Sequence, residues 1–174
     1  PGTSGNARGK VRSSDRPGAP MNEADLTHLR RCVDLAAEAV EHGDQPFGSV
    51  LVSGDGTVLA ERRNRIVTTG DLTAHPELAL AGWASQHLDP SERAAATMYT
   101  SGEHCTMCAA AHVRVGIGRL VYVLSAPMIA ELVEPDVKIG LRMTDIVAAS
   151  NVDVTVDGPC DELVPEASAL FVRA

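Results

Sequence analysis

Two short segments contain residue types and spacings that are typical of a catalytic zinc site. Thr73-Ala74-His75-Pro76-Glu77 supplies a histidine and, two residues later, a carboxylate. After a further 27 residues, Cys105 and Cys108 form a Cys-x-x-Cys pair. Structural zinc sites usually have four protein ligands, whereas catalytic sites have three and keep one position for water. The pattern therefore predicts His75, Cys105 and Cys108 as zinc ligands, with Glu77 as the general acid and base.

Two other classes of protein also contain a Cys-x-x-Cys pair, namely redox dithiols and structural metal sites. A redox dithiol predicts no His-x-Glu segment, and a structural zinc site predicts a fourth ligand. His104 is a candidate, but adjacent residues rarely aim at one ion, so we expect it to order the loop or contact substrate. A structural zinc-binding interaction module remains the alternative from another class.

The segments around the motif alternate between helices and strands. The first half is expected to contain a helix at 22–42 capped by Asn22, a hairpin of strands 47–52 and 58–61, a loop at 63–74 and a helix at 74–88 capped by Thr73. A strand at 97–100, a helix at 105–115 ended by Gly116 and a strand at 119–124 are expected next. The last part is expected to contain helix and loop at 125–150, a strand at 152–156 and a helix at 160–173 that Pro165 bends or delays. This order predicts an α/β sandwich in which the hairpin forms an antiparallel pair.

The motif His75-x-Glu77…Cys105-x-x-Cys108 resembles the signature H-x-E…P-C-x-x-C of the zinc-dependent cytidine deaminase superfamily. The resemblance covers about residues 22–160. It implies a three-layer α/β/α sandwich with a mixed five-stranded sheet and one Zn²⁺ per chain. It also implies hydrolytic deamination that converts C–NH₂ to C=O and releases ammonia. In the family, the glutamate moves protons from water to a ring nitrogen and to the departing ammonia.

Further site residues follow from the resemblance. Pro46-Phe47-Gly48-Ser49-Val50 is similar to the family's Pro-Phe-Gly-Ala-Val, so Phe47 is expected to wall the base pocket. Asn64 lies where the family places an asparagine that hydrogen-bonds base or sugar. Glu103 matches the glutamate of the family's Glu-Pro-Cys and is given a supporting role, whereas His104 replaces the proline. The predicted substrate contacts are Asn64, Phe47, His104, Glu103, Ala74 and Phe171.

Composition limits the class of substrate. Residues 1–20 carry a net charge of +3 and residues 21–174 a net charge of −11. Nucleic-acid binding needs Lys and Arg at the phosphates, so the acidic body favours a small nucleobase over RNA. Guanine, cytosine or a related base is the expected substrate, and a tRNA-specific adenosine deaminase is the alternative.

Guanine deaminases resemble this chain most, through Asn64, residues 71–75 and residues 107–109, and tRNA adenosine deaminases have the same fold and motif. Some guanine and cytosine deaminases place an Asp after the fourth strand. The segment 125–140 has no clear match to it, and the candidates are Glu131, Glu134 and Asp136. In the guanine deaminase subgroup, the tail of one subunit can close the neighbour's pocket. Phe171 is the aromatic residue available for such a lid, which implies a homodimer.

The remaining expectations concern organisation. Residues 1–20 are rich in Gly, Ser, Pro and Arg and are predicted to be a disordered leader before one domain at 21–174. No apolar run approaches the roughly 20 residues that span a bilayer. There is no secretory signal, so we expect a cytoplasmic protein without a membrane partner. Cys32 and Cys160 are expected to be reduced and buried, and His112 has no partner pattern.

Overall fold

The computed structural model describes residues 12–13, 21–134, 137 and 139–174 of the chain. Its strands are β1 (Arg12–Ser13), β2 (Gly48–Val52), β3 (Val58–Arg63), β4 (Thr97–Gly102), β5 (Arg119–Leu124) and β6 (Thr155–Asp157). Its helices are α1 (Glu23–Glu41), α2 (Ile66–Thr69), α3 (Pro76–His87), α4 (Pro90–Ala95), α5 (Thr106–Val115), α6 (Ala126–Leu132), α7 (Met143–Ala148) and α8 (Val164–Phe171).

The strands form one mixed sheet in the order β1-β6-β5-β4-β2-β3. The hairpin strand β2 pairs antiparallel with both β3 and β4, whereas β4, β5 and β6 run parallel to one another. Strands β2 to β6 are the predicted five-stranded sheet, and the two-residue β1 extends it beside β6. Residues 1–11 and 14–20 lie outside the described part of the chain, so the disordered leader stays a prediction.

Two hydrophobic clusters lie on opposite faces of this sheet. On one face, Leu29 of α1 and Leu170 of α8 pack with strand residues such as Val121. On the other face, Leu80 of α3, Ala109 of α5 and Met143 of α7 pack against residues such as Leu120. The three-layer α/β/α sandwich is therefore confirmed. None of the described helices is long and apolar enough to cross a membrane.

Local signals account for most of the element boundaries. Asn22 and Asp25 form a capping box at the start of α1, and Gly116 ends α5 in the left-handed conformation at φ 82°. Cys32 and Cys160 are free and buried, as expected. The helix predicted at 160–173 begins late, at Val164, with Pro165 in its first turn.

The prediction that Thr73 caps the third helix was wrong. Its hydroxyl and its backbone N–H both donate to Asp71 Oδ1, at 2.7 Å and 2.8 Å, so the side chain is used inside the preceding loop. His75 takes the N-cap position instead, and the helix begins at Pro76. The loop predicted at 63–74 also contains the single turn α2.

Candidate metal and catalytic site

The three predicted ligands converge at the starts of two neighbouring helices. His75 is the N-cap of α3 and Cys105 is the N-cap of α5, while Cys108 lies in the first turn of α5. His75 Nδ1 lies 3.8 Å from Cys105 Sγ and 3.6 Å from Cys108 Sγ. Tetrahedral zinc with bonds of about 2.1 Å to nitrogen and about 2.3 Å to sulfur requires donor atoms about 3.6 Å apart. The donor types and their spacing therefore fit zinc.

The electrostatics of the group also favour a cation. A hydrogen bond from the Cys108 thiol, with a further contribution from His75, lowers the pKa of Cys105 to about 4. The same hydrogen bond and burial raise the pKa of Cys108. A helix N-terminus stabilises a thiolate, and a thiolate next to imidazole is a donor set that zinc binds readily.

Glu77 lies next to the ligands in the first turn of α3. Its side chain is buried, with Oε2 at 3.7 Å from Cys108 Sγ and 4.0 Å from His75 Nδ1. Its other oxygen, Oε1, accepts from the hydroxyl of Thr100 at 3.0 Å. Burial raises the pKa of Glu77, which moves the carboxylate toward the range in which it can exchange a proton near neutral pH.

Asn64 presents an unsatisfied buried donor. Its backbone N–H donates to the carbonyl of Phe47 at 2.9 Å, and its Oδ1 accepts from the backbone N–H of Ile66 at 3.0 Å. The second bond fixes the side-chain orientation, and Nδ2 is buried without a hydrogen-bond partner among the described residues. A buried unpaired donor is destabilising, so an acceptor on a bound ligand is the natural partner for Nδ2.

Comparison with known proteins identifies the family. Residues 22–124 match the family described as the cytidine and deoxycytidylate deaminase zinc-binding region. The chain belongs to this family of zinc-dependent deaminases. Zinc is accordingly the cofactor of the deaminase, and the His-Cys-Cys group is a site that could hold it.

Three related proteins differ in what they act on. A probable cytosine deaminase of Schizosaccharomyces pombe is 32% identical over 80% of this chain and 86% of its own length. The guanine deaminase of Bacillus subtilis is 41% identical, over 47% of this chain and about half (53%) of its own length. A solved structure from work on A-to-I editing by tRNA:A34 deaminases superimposes with a TM-score of 0.63, at 30% identity, over 83% of this chain and 99% of that one.

Asp44 anchors the loop of the deaminase that carries Asn64, and the sequence analysis missed it. The buried Asp44 carboxylate accepts from Arg63 Nη1 and from the backbone N–H of Thr68, both at 2.8 Å, and from the Thr68 hydroxyl. Arg63 Nη1 also donates to the carbonyl of Asn64 at 3.1 Å. Further along the loop, the carbonyl of Ala74 accepts from the backbone N–H of Arg65. No local sequence pattern connects Asp44 with these partners.

Glu103 is buried and its carboxylate is fully engaged within the deaminase. Arg142 donates to both oxygens, the closest contact being 2.9 Å, and the backbone N–H groups of Ala126 and Met143 donate at 2.8 Å and 3.3 Å. One carboxylate therefore joins the end of β4 to the starts of α6 and α7. This arrangement favours the supporting role of Glu103 over a direct substrate contact.

His104 is not a member of the candidate ligand group. Its Nε2 lies 3.2 Å from Nδ1 of His112, whose Nε2 lies 3.0 Å from the carbonyl of Ile117. Burial lowers the pKa of His112 to about 4 and that of His104 well below its usual value, so both rings are neutral. His104 therefore orders the start of α5 through His112, a partner that no local sequence pattern indicates.

Phe47 and Phe171 meet within one chain. Their ring centroids lie 5.6 Å apart in an edge-to-face arrangement. Phe47 also packs closely on Gly102, where an added Cβ would come within 2.9 Å of the ring. Closure of a neighbouring subunit by Phe171 stays a prediction.

The acidic candidates Glu131 and Glu134 are exposed, and Asp136 lies outside the described residues.

Proposed function

We propose that this deaminase hydrolyses the exocyclic amino group of a small nucleobase, namely guanine, cytosine or a related base. One observation carries the proposal: a buried carboxylate, Glu77, lies within 4.0 Å of two members of a three-ligand metal group. Asn64 supports the proposal through its position. Its backbone N–H donates to the carbonyl of Phe47, which connects Asn64 to the start of the strand at Gly48.

Each of the site residues has its own role in the proposed reaction. His75, Cys105 and Cys108 would hold zinc, which would supply Lewis acidity toward water. Glu77 would take up the two protons of the attacking water one after the other at Oε2, the oxygen that faces the ligands, passing the first to the ring nitrogen and the second to the departing amine. The reaction consumes water and the C–NH₂ group and yields C=O and ammonia.

The unsatisfied Asn64 Nδ2 offers a hydrogen-bond donor that each of the candidate bases, adenine included, can satisfy. It requires a hydrogen-bond acceptor on the base, such as a carbonyl oxygen or an unprotonated ring nitrogen. Cytosine and guanine both carry such acceptors, and cytosine and guanine deaminases are among the relatives of the chain. The net charge of −11 on residues 21–174 supports a small substrate over RNA.

Adenosine in tRNA is the second candidate substrate. It is favoured by the likeness to the solved tRNA:A34 deaminase-related structure, which this chain covers almost completely. The acidic body weighs against it, because RNA binding needs clustered Lys and Arg.

Ammonia release from the zinc-loaded enzyme decides between the two. The panel comprises cytosine, guanine, adenine, their nucleosides and a tRNA anticodon stem-loop, with Glu77→Ala as the inactive control. We expect turnover of a free base and none of the stem-loop. Turnover of the stem-loop alone would transfer the proposal to tRNA, and no turnover of any compound would reject nucleobase deamination.

A homodimer in the cytoplasm completes the proposal. Exposed apolar side chains are concentrated at the end of α6 and in the segment that follows it, and they offer a surface that a second copy can cover. They are Leu132, Val133, Val137, Ile139 and Leu141. The free thiols of Cys105 and Cys108 need a reducing compartment to remain available to zinc. Light scattering during size exclusion tests the dimer, and a monomer at micromolar concentration would reject it.

A further inference from the structure

Two buried hydroxyl groups lie behind the carboxylate of Glu77. Ser49 on β2 and Thr100 on β4 are directly paired across the antiparallel strands, and both residues are fully buried. Their hydroxyl oxygens lie 3.0 Å apart. Glu77 Oε1 lies 3.0 Å from the Thr100 hydroxyl and 3.3 Å from that of Ser49. The neighbouring strands thus place two hydroxyl groups within hydrogen-bond distance of the same carboxylate oxygen.

Each hydroxyl has a single hydrogen to donate, which determines the best arrangement of bonds. The shorter distances assign the Thr100 hydrogen to Glu77 Oε1 and the Ser49 hydrogen to Thr100 Oγ1. The alternative acceptor for Thr100, the carbonyl of Gly48, lies at the longer distance of 3.5 Å. The three side chains therefore form a chain that runs from Ser49 through Thr100 to Glu77.

The two oxygens of Glu77 consequently have different surroundings. Oε1 is bound to the hydroxyl chain, whereas Oε2 faces the ligand group, 3.7 Å from Cys108 Sγ. Oε1 is thus the oxygen held by the two strands, and Oε2 is the oxygen next to the candidate ligands.

We propose that Ser49 and Thr100 are positioning residues that hold Glu77 Oε1, so that Oε2 alone carries out proton transfer. This inference rests on the proposed function, in which Glu77 is the general acid and base. Ser49 stands where the resembling family segment has Ala. A fixed carboxylate keeps one oxygen within reach of each atom that gains or loses a proton.

Two substitutions at Thr100 separate the hydroxyl from the packing of the side chain. Thr100→Val keeps the shape and removes the hydrogen bond, whereas Thr100→Ser keeps the hydroxyl and removes a methyl group. A hydrogen bond to a charged group corresponds to roughly 10- to 100-fold in rate. We expect Thr100→Val to lower kcat by about that factor with KM and zinc content unchanged, and Thr100→Ser to stay within about 3-fold of the wild type.

The order of the hydrogen bonds from Ser49 through Thr100 to Glu77 predicts that the two substitutions affect kcat non-additively. Because Ser49 acts through Thr100, Ser49→Ala should lower kcat less than Thr100→Val does. The double variant should be no slower than Thr100→Val alone. If the double variant instead shows the product of the two single decreases in kcat, the two hydroxyls act separately, and this result would overturn the proposed chain of hydrogen bonds.

Crystal structures of the zinc-free variants provide a readout that does not depend on activity. We expect the Glu77 carboxylate to have a single orientation in Thr100→Ser and to rotate or split in Thr100→Val. Equal activity of the two variants together with an unchanged Glu77 would overturn the positioning role. That failure is distinct from failure of the proposed function, in which the wild-type enzyme itself releases no ammonia from any base.

Discussion

Removal of the Arg142 guanidinium should destabilise the enzyme by leaving a buried carboxylate without its cation. The side chain of Glu103 is completely buried, and that of Arg142 is 34% exposed. Breaking a buried ion pair by removing one partner costs about 3–5 kcal/mol. Glu103 keeps two backbone N–H donors, from Ala126 and Met143, and Arg142 is partly in water. We therefore expect Arg142→Met to cost about 2–3 kcal/mol.

Thermal unfolding of the zinc-loaded protein measures this cost. For a domain of this size, about 2–3 kcal/mol corresponds to a decrease in Tm of about 5–10 °C. The matched control is Arg30→Met, because Arg30 pairs with Glu162 at the surface and both side chains are 55% exposed. Exposed pairs contribute about 0.2–1 kcal/mol, so the control should change Tm by less than about 3 °C. Equal Tm changes in the two variants would refute the argument from burial.

Three further perturbations test other parts of the account. Cys105→Ala should reduce bound zinc from one ion per chain to a small fraction by elemental analysis; full zinc content would remove Cys105 from the ligand set. Burial raises the pKa of Asp25, but hydrogen bonds from Arg119 and Tyr99 outweigh it and hold the pKa below 3.8. The stability from Asp25 is thus complete above its ordinary pKa and is lost as the pH falls through the lower folded-state value. The difference in Tm between wild type and Asp25→Asn should therefore shrink as the pH falls below the ordinary Asp pKa of about 3.9, and a constant difference would contradict this. Deletion of residues 170–174 removes the ring packed on Phe47 and should raise KM or lower kcat; unchanged kinetics would dismiss a lid.

Sequence reasoning succeeded where the signal is local. The cap of α1 depends on Asn22 and Asp25, which are three residues apart, and the end of α5 depends on one glycine. Strand β5 has its expected bounds because its apolar run is short and uninterrupted. Helix α4 was missed although Asp89 and Glu92 form a capping box, since six residues show too little periodicity for a prediction.

In the candidate site, too, the sequence was sufficient to predict some residues and insufficient for others. His75, Glu77, Cys105 and Cys108 were predicted because metal ligation and acid–base chemistry require those residue types at those spacings. The side chains around them were not predictable, because their partners are brought together only by the folded sheet and loops. Examples are Ser49 with Thr100, 51 residues apart, and Glu103 with Arg142, 39 residues apart. Such pairs leave no periodic pattern in a single sequence.

Glu77→Gln provides the most direct test of the central claim, since it keeps the size of the side chain and removes its ability to exchange a proton. Ammonia release and bound zinc are measured on the same sample, with the best substrate of the panel. The account predicts one zinc per chain and a decrease in kcat of at least about 1,000-fold, at the level of a lost general acid and base. Turnover within about 10-fold of the wild type at full zinc content would contradict the assignment of Glu77 and the mechanism built on it.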